Sequence, residues 1–480
     1  MFKESETVIS HSVRLQYLAV IIVFCFLLLA NLISLCHGMA IGWLSPNLPK
    51  LQSDDSPLQT KMTLSEISWI GSCFSIGAIL GNCVFGIVSN FIGRKNTLCI
   101  LALPNLLFWL LVLFGSNAVD LYIGRIFAGA TGGGMYICLP LFVAEVADQR
   151  IRGRLGSLLM LSVTIGILFG FIAGTYLTYY LVPKIFLPLP IVFFVLFIFF
   201  PETPQYFIQR KSFEKAKFSL NFYRDCCCKE RNRCTQIDSE FAEILQSVHE
   251  RLDQNEKYRK NALKNIFKWD SIKAILIGFS LTGINLFSGT FAFVNYTASI
   301  FKESGSTLDP HVSSIIVAAI QIFGVYGSTL LVDRIGRKTL LIFSTSGAFV
   351  GLISLGIHSY LIENGYDLTA CNWIPLISFS TFIFISCFGI LPLPFIVLTE
   401  ILPAEVRTFG STLCMLSNSV FAFISLKTFP ILMHSVHLYG VSWICAGVCF
   451  YGILFSIFIL KETKGKNLNE IVPKQPTTSA

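Results

Sequence analysis

Charge is what this chain has least of. Asp, Glu, Lys and Arg together make up 13% of its 480 residues, against about 25% in an ordinary soluble domain. That excludes a soluble globular enzyme, and it excludes a disordered chain, which stays solvated through polar and charged residues. Acidic residues are the scarcer sign, 28 against 36 basic, and no Asp or Glu occurs between Arg14 and Asp54. A cleavable signal peptide is not expected either. About 17 polar residues precede an apolar stretch too long and too interrupted for that role, which reads as a retained first helix. The fifteen Cys lie mostly in apolar runs, where thiols behave as small hydrophobes. Cys226, Cys227, Cys228 and Cys234 lack the spacing of zinc ligands; they are expected as cytosolic thiols, with palmitoylation the alternative. The spans carry no Ser/His/Asp or metal-ligand constellation, so an intramembrane enzyme is set aside and no cofactor is expected.

Apolar residues are what is there: 54% of the chain, with 44 Phe and a mean hydropathy of +0.67. At roughly 20 apolar residues per crossing, such a chain holds about a dozen helical spans, which excludes a single-anchor receptor. Apolar windows bounded by charge, Gly and Pro predict helices at 18–44, 66–88, 97–115, 121–144, 155–179, 184–200, 272–301, 311–332, 339–361, 372–399, 408–430 and 439–460. Thr63 and Glu66 form a capping-box pattern at the start of the second. The boundaries give a short N-terminus (1–17), a first six-helix half (18–200), a charged loop (201–271), a second half (272–460) and a tail (461–480). Ser212–Tyr223 and Asp238–Arg259 read as helical within the loop.

Positive charge sets the orientation. With both termini cytoplasmic, only Lys50, Lys61, Lys184 and Lys302 of the 36 basic residues fall in outer loops. The basic balance is therefore a topology signal, and no nucleic-acid partner is expected.

The two halves repeat. Gly93-Arg94-Lys95 follows the second span and Gly336-Arg337-Lys338 the eighth, the latter led by Asp333-Arg334. Glu145 and Arg152 follow the fourth span, and Glu400 and Arg407, at the same spacing, follow the tenth. Pro201-Glu202-Thr203 ends the sixth and Lys461-Glu462-Thr463 the twelfth. The offsets are 243, 255 and 260 residues. Three motifs recurring in order mark an internal duplication into parallel six-helix halves, the architecture of secondary transporters.

These motifs resemble the sugar porters of the major facilitator superfamily over residues 15–470. Gly42-Trp-Leu-Ser-Pro46, Asn295-Tyr-Thr297 and Phe200-Pro-Glu-Thr-Pro-Gln-Tyr206 are similar to the insect facilitated trehalose transporters within it. The resemblance implies an all-α membrane protein with twelve transmembrane helices in two pseudo-symmetric bundles, the major facilitator fold. It also implies a plasma-membrane carrier that moves a sugar, trehalose or a hexose, down its gradient by alternating access. Sugar and membrane lipid are the expected partners, with no obligate protein partner. The chain departs from the family pattern at Asn90 and Phe91, where the motif has Asp-Arg, at Gln205 for Arg, and at Lys461 for Pro.

Alignment with the family places sugar contacts at Asn285, Gln321 and Asn418, with Phe395 where many members carry Trp. Neutral amides suit an uncharged polyol; the alternative for each is an interhelical hydrogen bond. Met160, Leu286 and Phe291 replace family amides, pointing to a pocket unlike one optimised for glucose. His37 precedes Gly38, where proton-coupled relatives carry Asp. It reads as a satisfied buried imidazole or a sugar ligand, or else as the titratable group of a proton symporter. A non-transporting sugar sensor is a third reading. Arg94, Lys95, Glu145, Arg152, Asp333, Arg334, Arg337, Glu400 and Arg407 form the expected conformational gate; the alternative is topology determinants and solvated charge. Arg125 is expected to belong to the structure of the first half, Lys427 to snorkel to the interface, and Asn295, though in a glycosylation pattern, to lie unmodified within a span.

Overall fold

The computed structural model describes residues 29–58, 60–147, 152–224, 238–250, 267–306, 308–403 and 406–462; the Cys226–Cys234 cluster lies outside them. Among the described residues the fold is helical, and eight helices are long and apolar enough to cross a membrane. In the first half they are α3 (Leu64–Ile92), α4 (Arg94–Phe114), α5 (Ala118–Val146) and α6 (Arg152–Tyr176). α1 (Leu32–Gly42) and α2 (Leu44–Gln52) precede them, and the sixth span is split into α7 (Leu181–Phe186) and α8 (Pro188–Phe197). Thr63 caps α3 with Glu66 reciprocating, as the capping-box pattern requires. Bulky apolar side chains such as Phe199, Phe458, Val350 and Ile87 are largely exposed on the flanks. Such an outer face is stable only against lipid.

Small residues set the packing of the first half. Gly77 and Gly81 of α3 lie against the backbone of Ile126 and Ala130 of α5, and Gly129 and Gly133 return the contact on Phe74 and Ala78. Gly38 and Gly42 of α1 abut Val163 and Ile167 of α6, matched by Gly166 and Gly170. A Cβ at these positions would overlap main-chain atoms, so glycine permits the close approach that replaces hydrophobic drive in lipid.

Within the loop lie α9 (Pro204–Gln209) and α10 (Phe213–Arg224). A helix over 238–250 packs on them through Phe241 and Val248, held by Arg224 on Glu240 and Lys217 on Asp238. The second half contains α11 (Trp269–Phe287), α12 (Thr290–Asn295), α13 (Thr297–Glu303), α14 (Pro310–Ile335), α15 (Arg337–Glu363), α16 (Ile374–Ser386), α17 (Leu393–Ile401) and α18 (Arg407–Phe458). α18 holds the eleventh and twelfth spans, joined at His437, whose φ of 55° and ψ of 177° turn the chain.

Two expectations need correction. The segment after residue 44 is expected as an outer loop holding Lys50, yet it is helical as α2. The Lys50 ammonium there meets the Gly174 and Leu177 carbonyls at 2.6 and 3.3 Å, at the end of α6 where a helix offers unpaired acceptors. The tenth span breaks where its Gly389-x-x-Pro392-Leu-Pro394 run predicts: it is two helices with an irregular stretch between Ser386 and Leu393. Lys427 does not snorkel outward; it reaches the other bundle, as described below.

Candidate functional site

The two duplicated turns fold alike. Gly93 and Gly336 adopt φ of 98° and 102°, a region that favours glycine. Each turn opens the next helix, and a carboxylate closes it. Glu202 accepts from the Lys95 and Asn96 amides at 2.8 and 3.1 Å. Glu462 accepts from the Arg337 and Lys338 amides at 2.9 and 3.1 Å. An anion on a helix N-terminus satisfies orphan donors and meets the positive end of the macrodipole. Lys95 and Lys338 donate to the Ile198 and Ile457 carbonyls, both at 2.8 Å.

The arginines then find the duplicated glutamates. Arg94 Nε lies 3.0 Å from Glu145, the two side chains only 8 and 7% exposed. Arg337 pairs with Glu400 at 3.2 Å, at 15 and 26% exposure. The Thr203 hydroxyl also donates to Glu145, at 2.5 Å. Each pair lies within one half. The side chains of Arg152, Asp333 and Arg407 lie outside the described residues, and Arg334 is exposed at the same end.

The predicted sugar residues separate into two kinds. Asn285 is buried, and its amide donates to the Ile390 and Leu391 carbonyls at 2.5 and 3.4 Å, groups freed by the break in the tenth span. Gln321 is 6% exposed and its side chain makes no hydrogen bond among the described residues. It stands eleven residues into the 26-residue α14, close to mid-helix. Asn418 Oδ1 is buried without a partner. Its neighbours anchor α18 on both sides: Ser417 lies 3.5 Å from Thr282 of α11, and Ser419 accepts from Asn82 of α3 at 3.2 Å. Phe395 is half-buried on α17, three residues past the break, and Met160 packs on the apolar core of the first half.

His37 is 1% exposed, stacked on Phe74 at 5.5 Å and edge-on to Tyr136 at 5.9 Å. Gly132 makes its room: a Cβ there would strike the imidazole. Phe74 also meets Phe291 of α12 at 6.2 Å, so an aromatic contact crosses between halves where the family alignment places an Asn. Tyr136 and Phe74 escaped the sequence reading. The signal for Tyr136 was its place one turn after Gly132, on the same helix face.

The end away from the duplicated turns is tied across the halves. Arg125 is fully buried and donates to the Ala40 carbonyl at 2.8 Å and the Ile70 carbonyl at 3.2 Å. It lies over the Phe74 ring at 4.6 Å and reaches Asn295 Oδ1 of the second half at 3.5 Å. Ser45 accepts from the Ala298 amide at 2.9 Å. Lys427 donates to Ser68 at 2.8 Å and sits 3.8 Å over the Trp69 ring. Two cavities, of about 300 and 350 Å³, lie in the second half and are lined by none of the predicted sugar residues.

The matched turns and the helical spans among the described residues define an all-helical membrane fold, and the comparisons with known proteins make it a carrier of the major facilitator fold, not an enzyme. Solved structures of the E. coli xylose transporter XylE superimpose on it. The inward-open form has a TM-score of 0.76 at 21% identity over 94% of this chain and 99% of that one. The form bound to 6-bromo-6-deoxy-D-glucose, described as a proton:xylose symporter, scores 0.72 at 22% identity over 94 and 98%. The family model "Sugar (and other) transporter" matches residues 20–474, and the chain belongs to that family. Its relatives include the facilitated trehalose transporter Tret1 of Bombyx mori, 31% identical over 91% of this chain and 83% of that protein. Tret1 of Polypedilum vanderplanki is 32% identical over 92 and 85%.

Proposed function

We propose that the chain is a facilitative sugar carrier of the plasma membrane, both termini cytoplasmic, moving trehalose or a hexose down its gradient by alternating access. The observation that carries this reading is the placing of Gln321 and Asn418. Asn418 Oδ1 is buried without a partner, and Gln321 is a largely buried amide with no side-chain hydrogen bond among the described residues; both stand at mid-depth between halves whose far end is closed by Arg125, Ser45 and Lys427. An unpaired amide away from water costs free energy until a ligand supplies the missing bonds, and an uncharged polyol supplies them. Tyr136, Phe395 and Phe291 offer an apolar wall for the sugar ring, a role consistent with the 41% exposure of Tyr136. His37 and Met160 complete the proposed site from the first half.

The proposed orientation puts the Arg94 and Arg337 turns in the cytoplasm, which makes this an inward-facing arrangement with the outer end shut. Arg94, Lys95, Glu145, Arg152, Asp333, Arg334, Arg337, Glu400 and Arg407 are the proposed inner gate. The test is uptake of radiolabelled trehalose, glucose, fructose and sorbitol in oocytes at two external pH values. Saturable, pH-independent equilibration of one or more of these supports the reading; no uptake of any of them at normal surface abundance overturns it.

A further inference from the structure

The 350 Å³ cavity opens on the flank of the second half, between α15 and the start of α16. Its wall is apolar: Phe349, Val350, Ile353, Ile357, Leu361 and Ile374. Val350 and Ile357 are 64 and 48% exposed on that flank, so the groove faces the lipid. One polar ring lies at its inner wall. His358 is 3% exposed, and neither ring nitrogen has a hydrogen-bond partner. The Cys371 backbone is the polar group nearest the ring. A small shift would let it take one N–H, and the second nitrogen would still be unmet.

Depth defines what meets it. α15 runs from Arg337 to Glu363, so at 1.5 Å per residue His358 lies about 7 Å below its outer end. From Phe349 to Leu361 the groove runs about 18 Å along the helix, close to one leaflet of a ~30 Å hydrocarbon core. Water is scarce at that depth, and an unpartnered imidazole there is costly.

We propose that this groove binds a membrane sterol in the outer leaflet, its hydroxyl exchanging a hydrogen bond with His358 and its ring system lying along α15. The groove contains no Lys or Arg to hold a lipid phosphate, whereas a neutral hydroxyl can both donate to and accept from an imidazole. Val350, Ile353, Ile357 and Ile374 are β-branched and stiff at χ1. A rigid ligand loses little conformational freedom against such a wall, and a flexible acyl chain loses more.

The experiment is photolabelling of the full-length protein in nanodiscs with a diazirine 3β-hydroxysterol, followed by peptide mapping. Label on residues 349–374, competed by unlabelled 3β-hydroxysterol but not by its 3-keto analogue or by phosphatidylcholine, is the expected result. His358→Phe should lower labelling about tenfold, as for one lost polar contact to a buried group, while His358→Gln retains most of it. Val350→Trp fills the groove from its exposed side without disturbing the core and should also abolish label. Labelling that survives both His358→Phe and Val350→Trp, equal competition by phosphatidylcholine, or label confined to other segments each overturns the proposal.

Discussion

The ammonium of Lys427 sits 3.8 Å over the ring of Trp69, and these two residues belong to different halves of the molecule. The same nitrogen donates to Ser68 at 2.8 Å. With Trp69 40% exposed, the cation–π contact is worth about 0.5–1 kcal/mol, and the hydrogen bond to the charged ammonium about 1.5 kcal/mol. Both are made only while the start of α3 touches the eleventh span near the bend of α18. Each 1.4 kcal/mol lost moves a two-state ratio about tenfold. Lys427→Met keeps the apolar stem and removes the charge, so it should favour the state in which this end opens. Cys73, buried close to Arg125 and Lys427, reports the opening. Its labelling by a membrane-impermeant thiol reagent from outside should rise in the variant, with Cys73→Ser as control. Unchanged labelling would show that Lys427 holds nothing shut.

The duplicated turns are not equal, and the inequality is measurable. Arg94 and Glu145 are almost wholly buried, whereas Arg337 and Glu400 are wetter and slightly farther apart. Removing one partner of a buried pair strands the other and costs about 3–5 kcal/mol; a partly solvated pair costs less. Glu145→Gln should therefore lower the melting temperature of the purified carrier more than Glu400→Gln does. Thr203, which also donates to Glu145, adds to the difference. Equal losses would mean that the two turns are energetically alike.

The duplication was legible because charged groups at helix ends cannot be hidden in hydrocarbon, so their order survives in the sequence. Partner choice was not legible. Arg94 and Glu145 are 51 residues apart, and only the packing of α4 on α5 brings them together. Lys427 was misjudged for a related reason. A lone helix in lipid sends its lysine to the interface, but α3 offers a hydroxyl and an indole face at shorter reach. α2 was missed because two prolines and a lysine mimic a loop. Pro46 lies in its first turn, where proline is tolerated, and the Lys50 charge is absorbed by the end of α6. Three amides in family-placed positions looked equivalent until the break in the tenth span claimed one of them.

That division predicts two phenotypes. Gln321→Ala and Asn418→Ala remove the amides proposed to meet the sugar, and each should weaken sugar affinity by about 0.5–1.5 kcal/mol with near-normal surface abundance. Asn285→Ala instead leaves the Ile390 carbonyl unpaired and should cost folding stability, by about 1–3 kcal/mol. Thermal melts and uptake kinetics on the same preparations separate the effects. A raised KM for Asn285→Ala with an unchanged melt would reassign it to the sugar.

The first span supplies the test of coupling. It carries no carboxylate in its described part, and its titratable side chain is His37, closed in by Phe74, Tyr136 and Gly132. Arg125 bonds a backbone carbonyl of that span, that of Ala40, with no acidic group in between. A symporter needs a site that gains and loses a proton as it alternates between the two sides, and this imidazole is packed between aromatic rings with no carboxylate in the described part of its span to exchange a proton with. Uptake is therefore expected to be insensitive to an imposed proton gradient, with internal sugar never exceeding external. His37→Phe, close in shape and unable to titrate, should keep that behaviour. Gly132→Ala should not be tolerated, because its methyl occupies the place of the imidazole; pairing it with His37→Ala should restore folding. Uphill accumulation that a protonophore abolishes, and that His37→Phe also abolishes, would make the carrier a symporter with His37 as its proton site.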